Sequence, residues 1–107
     1  MRKITSDAIE AFDTDKNFRR NNTKVIARLD VTELYLYNNL IAYKQVESGN
    51  IYISSQGYQT RTTSDRLNGL VEYYEYGNVY IHQFTMYYKD SNKITSVLDN
   101  NFFTQLR

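Results

Sequence analysis

The abundance of tyrosine is the feature of this sequence that most constrains its fold. The chain has 11 tyrosines among 107 residues, but only five phenylalanines and no tryptophan. Because tyrosine favours pleated, half-buried surfaces, this composition predicts a domain rich in β-strands. Most of these side chains are expected to pack on strands with their hydroxyl groups at the rim, and the others to form a contact surface.

Period-two alternation of apolar and polar residues predicts strands along much of the chain. A first strand begins at Thr23, and segments 34–37 and 40–43 flank Asn38-Asn39, a pair that tolerates the conformation of a tight hairpin turn. A second hairpin is predicted around Gly77-Asn78, because this dipeptide is a strong short-range turn signal. The other predicted strands are 51–54, after a turn at 48–50, and the two arms of that second hairpin, 71–76 and 79–88.

Helical spacing of apolar residues predicts two helices before the second hairpin. The first covers residues 4–12 and ends where turn-forming residues cluster at 13–17. A short internal helix is predicted over roughly 63–68, with Asn68-Gly69 ending it. The residues expected to cap these helices are Thr5 or Ser6 for the first and Thr62 with Asp65 for the second.

A third helix is predicted at the C-terminal end, where apolar residues recur at helical spacing. These residues are Ile94, Val97, Leu98, Phe102 and Leu106. The predicted architecture is therefore α+β: an antiparallel sheet of about five or six strands, flanked by N- and C-terminal helices and one short internal helix. Since no linker or low-complexity stretch divides the chain, residues 1–107 are expected to form a single domain.

Residues that the chain lacks, or has once, argue against several kinds of chemistry. The absence of cysteine excludes disulfides, thiolate zinc sites and thiol nucleophiles, and His82 is the one imidazole. Segment 13–17 opens like a calcium loop, but Phe18 and Lys24 occupy the positions that need glycine and glutamate. No glycine pattern of a nucleotide-binding loop occurs. We therefore expect no catalytic residues, no metal site, no cofactor and no enzymatic activity.

A basic segment at 16–28 stands out against a net charge of only +1. Its cations are Lys16, Arg19, Arg20, Lys24 and Arg28. Basic side chains beside exposed tyrosines are what a single-stranded nucleic-acid-binding module needs, since phosphates must be neutralised and bases stacked. The alternative interpretation is a solvated sheet edge whose charges prevent aggregation.

A hydroxyl-rich stretch at 60–68 contains two further arginines, Arg61 and Arg66. Hydroxyl groups at a helix N-terminus with arginines nearby can hold a phosphate, so a site for a signalling nucleotide is a further hypothesis, with Thr62 and Thr63 in it. Helix capping alone also accounts for the hydroxyl groups.

A cluster of aromatic and acidic residues lies between 72 and 88. Its members are Glu72, Tyr73, Tyr74, Glu75, Tyr76, Tyr80, Tyr87 and Tyr88. Tyrosine provides a large contact area at low entropic cost and is enriched at protein interfaces, so these residues are the candidate partner-binding surface. Because the chain has no proline to block strand edges, a homodimer formed by pairing of two sheet edges is a further hypothesis.

Segment 57–68, GYQTRTTSDRLN, resembles a motif of small accessory proteins of tailed bacteriophages. In that motif a glycine and an aromatic residue precede paired threonines and Arg-Leu-Asn. Segments 3–12 and 34–42 are similar to other parts of the same pattern, and the likeness covers roughly residues 3–84. Tyr58 stands where tryptophan is expected, and Tyr37-Asn38 where histidine and glycine are usual.

The resemblance implies an accessory protein that a phage makes in the cytoplasm of its bacterial host. No membrane segment is expected, because no apolar run approaches the roughly 20 residues needed to span a bilayer. That group has no assigned activity, so no catalytic residues carry over. Small phage proteins without catalytic signatures often act by occupying a host target. The leading hypothesis is therefore a non-enzymatic protein that binds and inhibits a host protein, as an antagonist of CRISPR effectors or other defence machinery.

Overall fold

Two helices and nine strands make up the described part of the chain, residues 2–98 and 102–107 of a computed structural model. The helices are α1 (Lys3–Asp13) and α2 (Arg61–Tyr73). The strands are β1 (Phe18–Arg20), β2 (Thr23–Ala27), β3 (Val31–Leu36), β4 (Asn39–Gln45), β5 (Ile51–Ile53), β6 (Gly77–His82), β7 (Thr85–Asp90), β8 (Thr95–Val97) and β9 (Thr104–Gln105).

The strands form two antiparallel sheets. The larger has six strands in the order β1-β2-β3-β4-β5-β9, and the smaller has three in the order β6-β7-β8. The predicted α+β class with antiparallel strands is confirmed, but the prediction of a single sheet is wrong. Helix α2 separates β5 from β6 in the chain, and the strands after it pair with one another before β9 returns to the edge of the large sheet.

Both helices pack on one face of the six-stranded sheet, its inner face. Strand β3 shows the division: Thr32, Leu34 and Leu36 are buried, whereas the intervening side chains are partly exposed on the opposite face. The inward residues join the helices in one core that includes Phe12 and Leu67. The outer face of the sheet therefore carries the side chains that alternate with the core.

The predicted N-terminal helix is confirmed as α1, but its predicted cap is wrong. The helix begins at Lys3 with Arg2 at the N-cap position, and no side chain caps it. Thr5 is instead fully buried inside the helix, where its hydroxyl group donates to a carboxylate oxygen of Asp65 at 2.8 Å.

The internal helix is longer than predicted. It runs through Gly69, which is buried, and the strand expected over 71–76 is wrong, because 71–73 are the last turn of this helix and 74–76 connect it to β6. Its N-cap is Thr60, whose hydroxyl oxygen accepts a hydrogen bond from the backbone N–H of Thr63 at 3.2 Å, so the predicted capping role of Thr62 is wrong. Burial of the apolar face that includes Leu67 and Leu70 outweighs the low helix propensity of glycine.

The predicted C-terminal helix is wrong for the described residues. Thr95–Val97 and Thr104–Gln105 are strands, and residues 99–101, which the predicted helix also covers, lie outside the described residues. Of the apolar residues that suggested a helix, Leu98 and Leu106 are buried, but Ile94 is 63% and Phe102 75% exposed. Their spacing therefore did not mark one buried face.

Both predicted hairpins need correction. The turn between β3 and β4 is centred on Tyr37 and Asn38, one residue earlier than predicted, and both have positive φ. The second hairpin does not turn at Gly77-Asn78, where β6 begins, but at Gln83 and Phe84, with φ of 50° and 67°. Gly77 is instead a site of close approach, since a Cβ there would lie 1.9 Å from the carbonyl oxygen of Lys89.

Within residues 2–98 and 102–107, neither helix has the length and apolar character needed to cross a bilayer.

Candidate nucleic-acid interface

The outer face of the six-stranded sheet has a basic end, formed where β1, β2 and β3 lie side by side. Arg19 pairs with Lys24, and Lys24 pairs with Tyr35, so the three side chains form one row across the strands. The ammonium group of Lys24 lies 5.0 Å from the ring centroid of Tyr35, within the range of a cation–π contact. It also donates to the side-chain oxygen of Asn38 at 3.2 Å.

A third cation, Arg28, neutralises the acidic side chain on this part of the face. Its guanidinium group donates to Glu33 at 2.5 Å, and this bond, followed by one with Tyr35, raises the pKa of Arg28. Among the described residues, Arg19 and Lys24 have no carboxylate within ion-pairing distance. The basic end therefore keeps a local positive charge although the whole chain is nearly neutral.

Aromatic rings continue the outer face toward β5 and β9. The rings of Tyr43 and Tyr52 stack with centroids 4.9 Å apart, and Phe103 meets Tyr43 edge-on at 5.1 Å. Burial raises the pKa of the Tyr43 hydroxyl group. All three rings are partly exposed, so the sheet presents aromatic surface beside its basic end.

The corner of the sheet where β3 begins and β4 ends, opposite the turn of their hairpin, is acidic. A depression there is lined by Asp30 and Glu47 together with Val31, Tyr43, Gln45 and Ser48. An anionic ligand would be repelled from this corner and attracted to the basic end. The outer face is therefore electrostatically polarised.

A small recess, here called the cation recess, lies beside the row of Arg19 and Lys24. Its volume is about 170 Å³, and its walls are Arg19, Asn21, Asn22, Thr23, Lys24, Tyr37 and Asn38. Two cations and amide groups are suited to holding a phosphate, since each can donate hydrogen bonds to its oxygens.

The structure divides the predicted basic segment between several places. Arg19, Lys24 and Arg28 lie at the basic end of the outer face, whereas Arg20, the next residue of β1, turns to α1 and donates to Asp7 at 2.8 Å. That bond holds the pKa of the Asp7 carboxyl group below its usual value. Lys16 is exposed in the turn after α1.

The residues suggested for a signalling nucleotide are not brought together. Arg66 is buried, and its guanidinium group donates to Thr23 at 3.0 Å and to Thr5 and Asp65 at 2.8 Å. Arg61 is exposed at the first position of α2. Arg66 therefore connects α2 to α1 and β2 from inside the protein.

The predicted partner-binding tyrosines also separate into groups. The hydroxyl groups of Tyr73 and Tyr74 both donate to Asp13, at 3.0 and 2.8 Å, and burial followed by this bond raises the pKa of Tyr74. Tyr88 is 2% exposed and donates to the backbone oxygen of Tyr76 at 3.0 Å. The buried Tyr88 therefore offers no surface to a partner.

The remaining members of that cluster are on the surface. Tyr80 and Tyr87 pair across β6 and β7 and stack with centroids 5.5 Å apart on the outward side of the three-stranded sheet. Glu72 and Glu75 are exposed, and Glu72 accepts a hydrogen bond from Asn68 at 3.1 Å.

Sequence reasoning missed the aromatic part of the interface. Tyr35, Tyr43, Tyr52 and Phe103 were not among the candidate residues. The alternation within segments 34–37 and 40–43 contained the necessary signal, because tyrosines opposite a buried aliphatic face must point outward. What the alternation could not show is that β9 returns to β5 and brings Phe103 to the same face.

A family model described as Kyanoviridae Gp96 protein matches residues 1–106. No curated protein and no solved structure matches the chain. The family match covers almost the whole sequence and confirms the phage origin that the resemblance of segment 57–68 implied. The chain belongs to the Kyanoviridae Gp96 protein family, a family of phage proteins.

Proposed function

We propose that this phage protein binds single-stranded nucleic acid on the outer face of its six-stranded sheet. The observation that carries the proposal is the row formed by Arg19, Lys24 and Tyr35, which places two cations without carboxylate partners beside an aromatic ring. Phosphate neutralisation combined with base stacking is the usual basis of sequence-tolerant binding to single strands. Duplex DNA cannot stack its paired bases on side chains in this way.

Each part of the row has a separate role in the proposed complex. Arg19 and Lys24 neutralise phosphates, while Tyr35 supplies an aromatic ring on which a base can stack. The acidic corner containing Asp30 and Glu47 limits the path of the strand to the basic end.

The test compares two adjacent arginines on opposite sides of β1. Arg19→Gln should weaken binding of a labelled ten-nucleotide DNA strand and lower the salt slope of log affinity by about 0.7, the value for one phosphate contact on a single strand. Arg20→Gln removes the same charge but faces Asp7 on α1, so it should leave the slope unchanged. Fluorescence anisotropy at several salt concentrations measures both, and thermal unfolding verifies that both variants fold.

Absence of binding by the native protein at low salt would overturn the proposal. Equal losses from Arg19→Gln and Arg20→Gln would also contradict it, because they would indicate a general effect of net charge.

We also propose inhibition of a host protein as a second candidate function, and the three-stranded sheet favours it. Tyr80, Tyr87 and Val97 lie in register across its three strands, and Phe84 at the tip of its hairpin is 92% exposed. Exposed aromatic residues close to one another are typical of protein-binding surfaces. Antagonism of a CRISPR effector or of another defence protein would be exerted through this surface.

The second candidate is tested with tagged protein in host lysate. Phe84→Ser should lose a protein that the native chain captures, whereas Leu29→Ser, which changes a residue 98% exposed elsewhere, should retain it. The purified partner should then be inhibited by the native chain and not by Phe84→Ser. Capture of the same proteins by both variants would contradict this function.

A further inference from the structure

A second and larger cavity adjoins the cation recess. We call it the tyrosine cavity; its volume is about 360 Å³ and its walls are Leu36, Tyr37, Asn39, Ile41, Tyr58, Thr60 and Thr63. Its size falls within the range of small-molecule sites. The two cavities share Tyr37, and the segments that line the larger one are those that resemble phage proteins.

The two tyrosines at its mouth are unusually placed. Tyr37 is 64% exposed and has φ of 51°, a left-handed conformation that is rare for a bulky residue. Tyr58 is 51% exposed and follows Gly57, whose φ of 80° turns the chain there. The left-handed conformation of Tyr37 belongs to the two-residue turn between β3 and β4, and this turn places the exposed ring beside the cavity.

We infer that the tyrosine cavity accepts the base of one nucleotide while the cation recess holds its phosphate. This inference rests on the proposed nucleic-acid function, because the nucleotide is one displaced from the bound strand or at its end. Lys24 connects the two surfaces: its side chain lies over Tyr35 on the outer face and also lines the recess next to Tyr37.

The chemistry of the walls matches a nucleotide. Leu36 and Ile41 provide apolar surface and Tyr37 and Tyr58 provide rings, the environment in which extruded bases are held by proteins. Arg19 and Lys24 complement the negative charge of the phosphate. The uncharged cavity and the cationic recess therefore correspond to the two halves of one nucleotide.

The polar side chains of the cavity already have partners inside the protein. The hydroxyl groups of Thr60 and Thr63 lie 2.9 Å apart and share a hydrogen bond, and the amide of Asn39 donates to the backbone oxygen of Tyr37 at 3.3 Å. Base identity should thus be read weakly, and stacking should favour purines over pyrimidines.

The inference is tested with a thymidine oligonucleotide that carries the fluorescent base 2-aminopurine at its 5′ end, at its 3′ end or internally. On the native protein, at least one of these positions should be quenched by stacking on tyrosine. Tyr58→Leu should remove that quenching and weaken binding about fivefold or more. Tyr73→Leu, which changes an exposed tyrosine on α2, is the matched control and should do neither.

Tyr37→Asn separates loss of contact from loss of folding. Asparagine adopts the left-handed conformation more readily than tyrosine, so this variant should melt at a higher temperature and yet bind more weakly. Weaker binding by a stabilised protein cannot be attributed to unfolding.

Adenosine monophosphate distinguishes a free nucleotide from one within a strand. Saturable binding of the mononucleotide that Tyr58→Leu abolishes would identify the cavity as a site for free nucleotides, and quenching only within an oligonucleotide would identify the strand as the source. The inference is overturned if the native protein binds oligonucleotides but neither Tyr37→Asn nor Tyr58→Leu alters binding. If the native protein binds no oligonucleotide, the proposed function itself fails.

Discussion

Lys44 is a buried cation that closes the C-terminal end of α1. Its ammonium group donates to the backbone oxygens of Phe12 and Asp13, each at 2.9 Å, and lies 3.0 Å from a carboxylate oxygen of Asp15. A positive charge at this end of a helix satisfies terminal carbonyl groups and opposes the negative end of the helix dipole. A lysine on an inward position of β4 is therefore explained by the helix it faces.

Replacement of this lysine should destabilise the fold. Lys44→Met should lower the free energy of unfolding by about 2 kcal/mol at neutral pH, because it leaves buried carbonyl groups without a donor. Urea unfolding measures the change. Lys16→Met, at an exposed position just beyond the same helix, should alter it by less than about 0.5 kcal/mol.

The Lys44→Met penalty should also depend on pH. Hydrogen bonds from Thr32 and then from Lys44 hold the pKa of Asp15 below its usual value. The stability that this carboxylate contributes is therefore fully present above its unfolded pKa of about 3.9 and is lost as the pH falls through its lowered pKa in the folded protein. The Lys44→Met penalty should accordingly become smaller over that pH range. A penalty that stayed constant down to that pH would show that Asp15 takes no part.

At the scale of elements, alternation in the sequence was a better guide than turn signals. The alternating burial of β3 followed directly from its residue types, whereas the hairpin with β4, predicted from Asn38-Asn39, turns one residue earlier. The β6–β7 turn was missed because Gln83 and Phe84 are not turn-forming residues, while the glycine that signalled a turn, Gly77, is needed for strand pairing. Pairing across the small sheet decides the position of this turn.

The candidate interface was predictable only in part, because the sequence groups its basic residues but does not show which face of the sheet each one occupies. Basic residues 16–28 were recognised as a group, but a sequence does not show which of two adjacent side chains faces a helix. Arg19 and Arg20 differ only in that respect: one lies on the open face and the other binds Asp7. The separation of Tyr80 from Tyr88 likewise follows from alternate directions on paired strands.

At the scale of the whole molecule, the segment that resembles phage proteins also connects distant parts of the fold. Gln59 accepts a hydrogen bond from the backbone N–H of Met86 in the small sheet, and Asn68 accepts one from Val79 at 2.8 Å. Arg66 connects α2 to α1 and to β2. Much of this segment is therefore explained by assembly of the fold, and Tyr58 is the exposed aromatic position left for a ligand.

Arg66 and Arg19 are arginines with separable roles in this molecule. Arg66→Met should lower the free energy of unfolding by about 3 kcal/mol, because it leaves Thr5, Thr23 and Asp65 without their buried donor. Arg61→Met, at an exposed position of the same helix, should change stability by less than about 0.5 kcal/mol.

Urea unfolding measures stability, and anisotropy measures oligonucleotide affinity at a temperature where both variants are folded. Arg66 is buried behind Thr23, a wall of the cation recess, but does not itself line the recess, so its loss should leave the salt slope of binding unchanged. A lower slope would place Arg66 among the phosphate contacts and contradict this division.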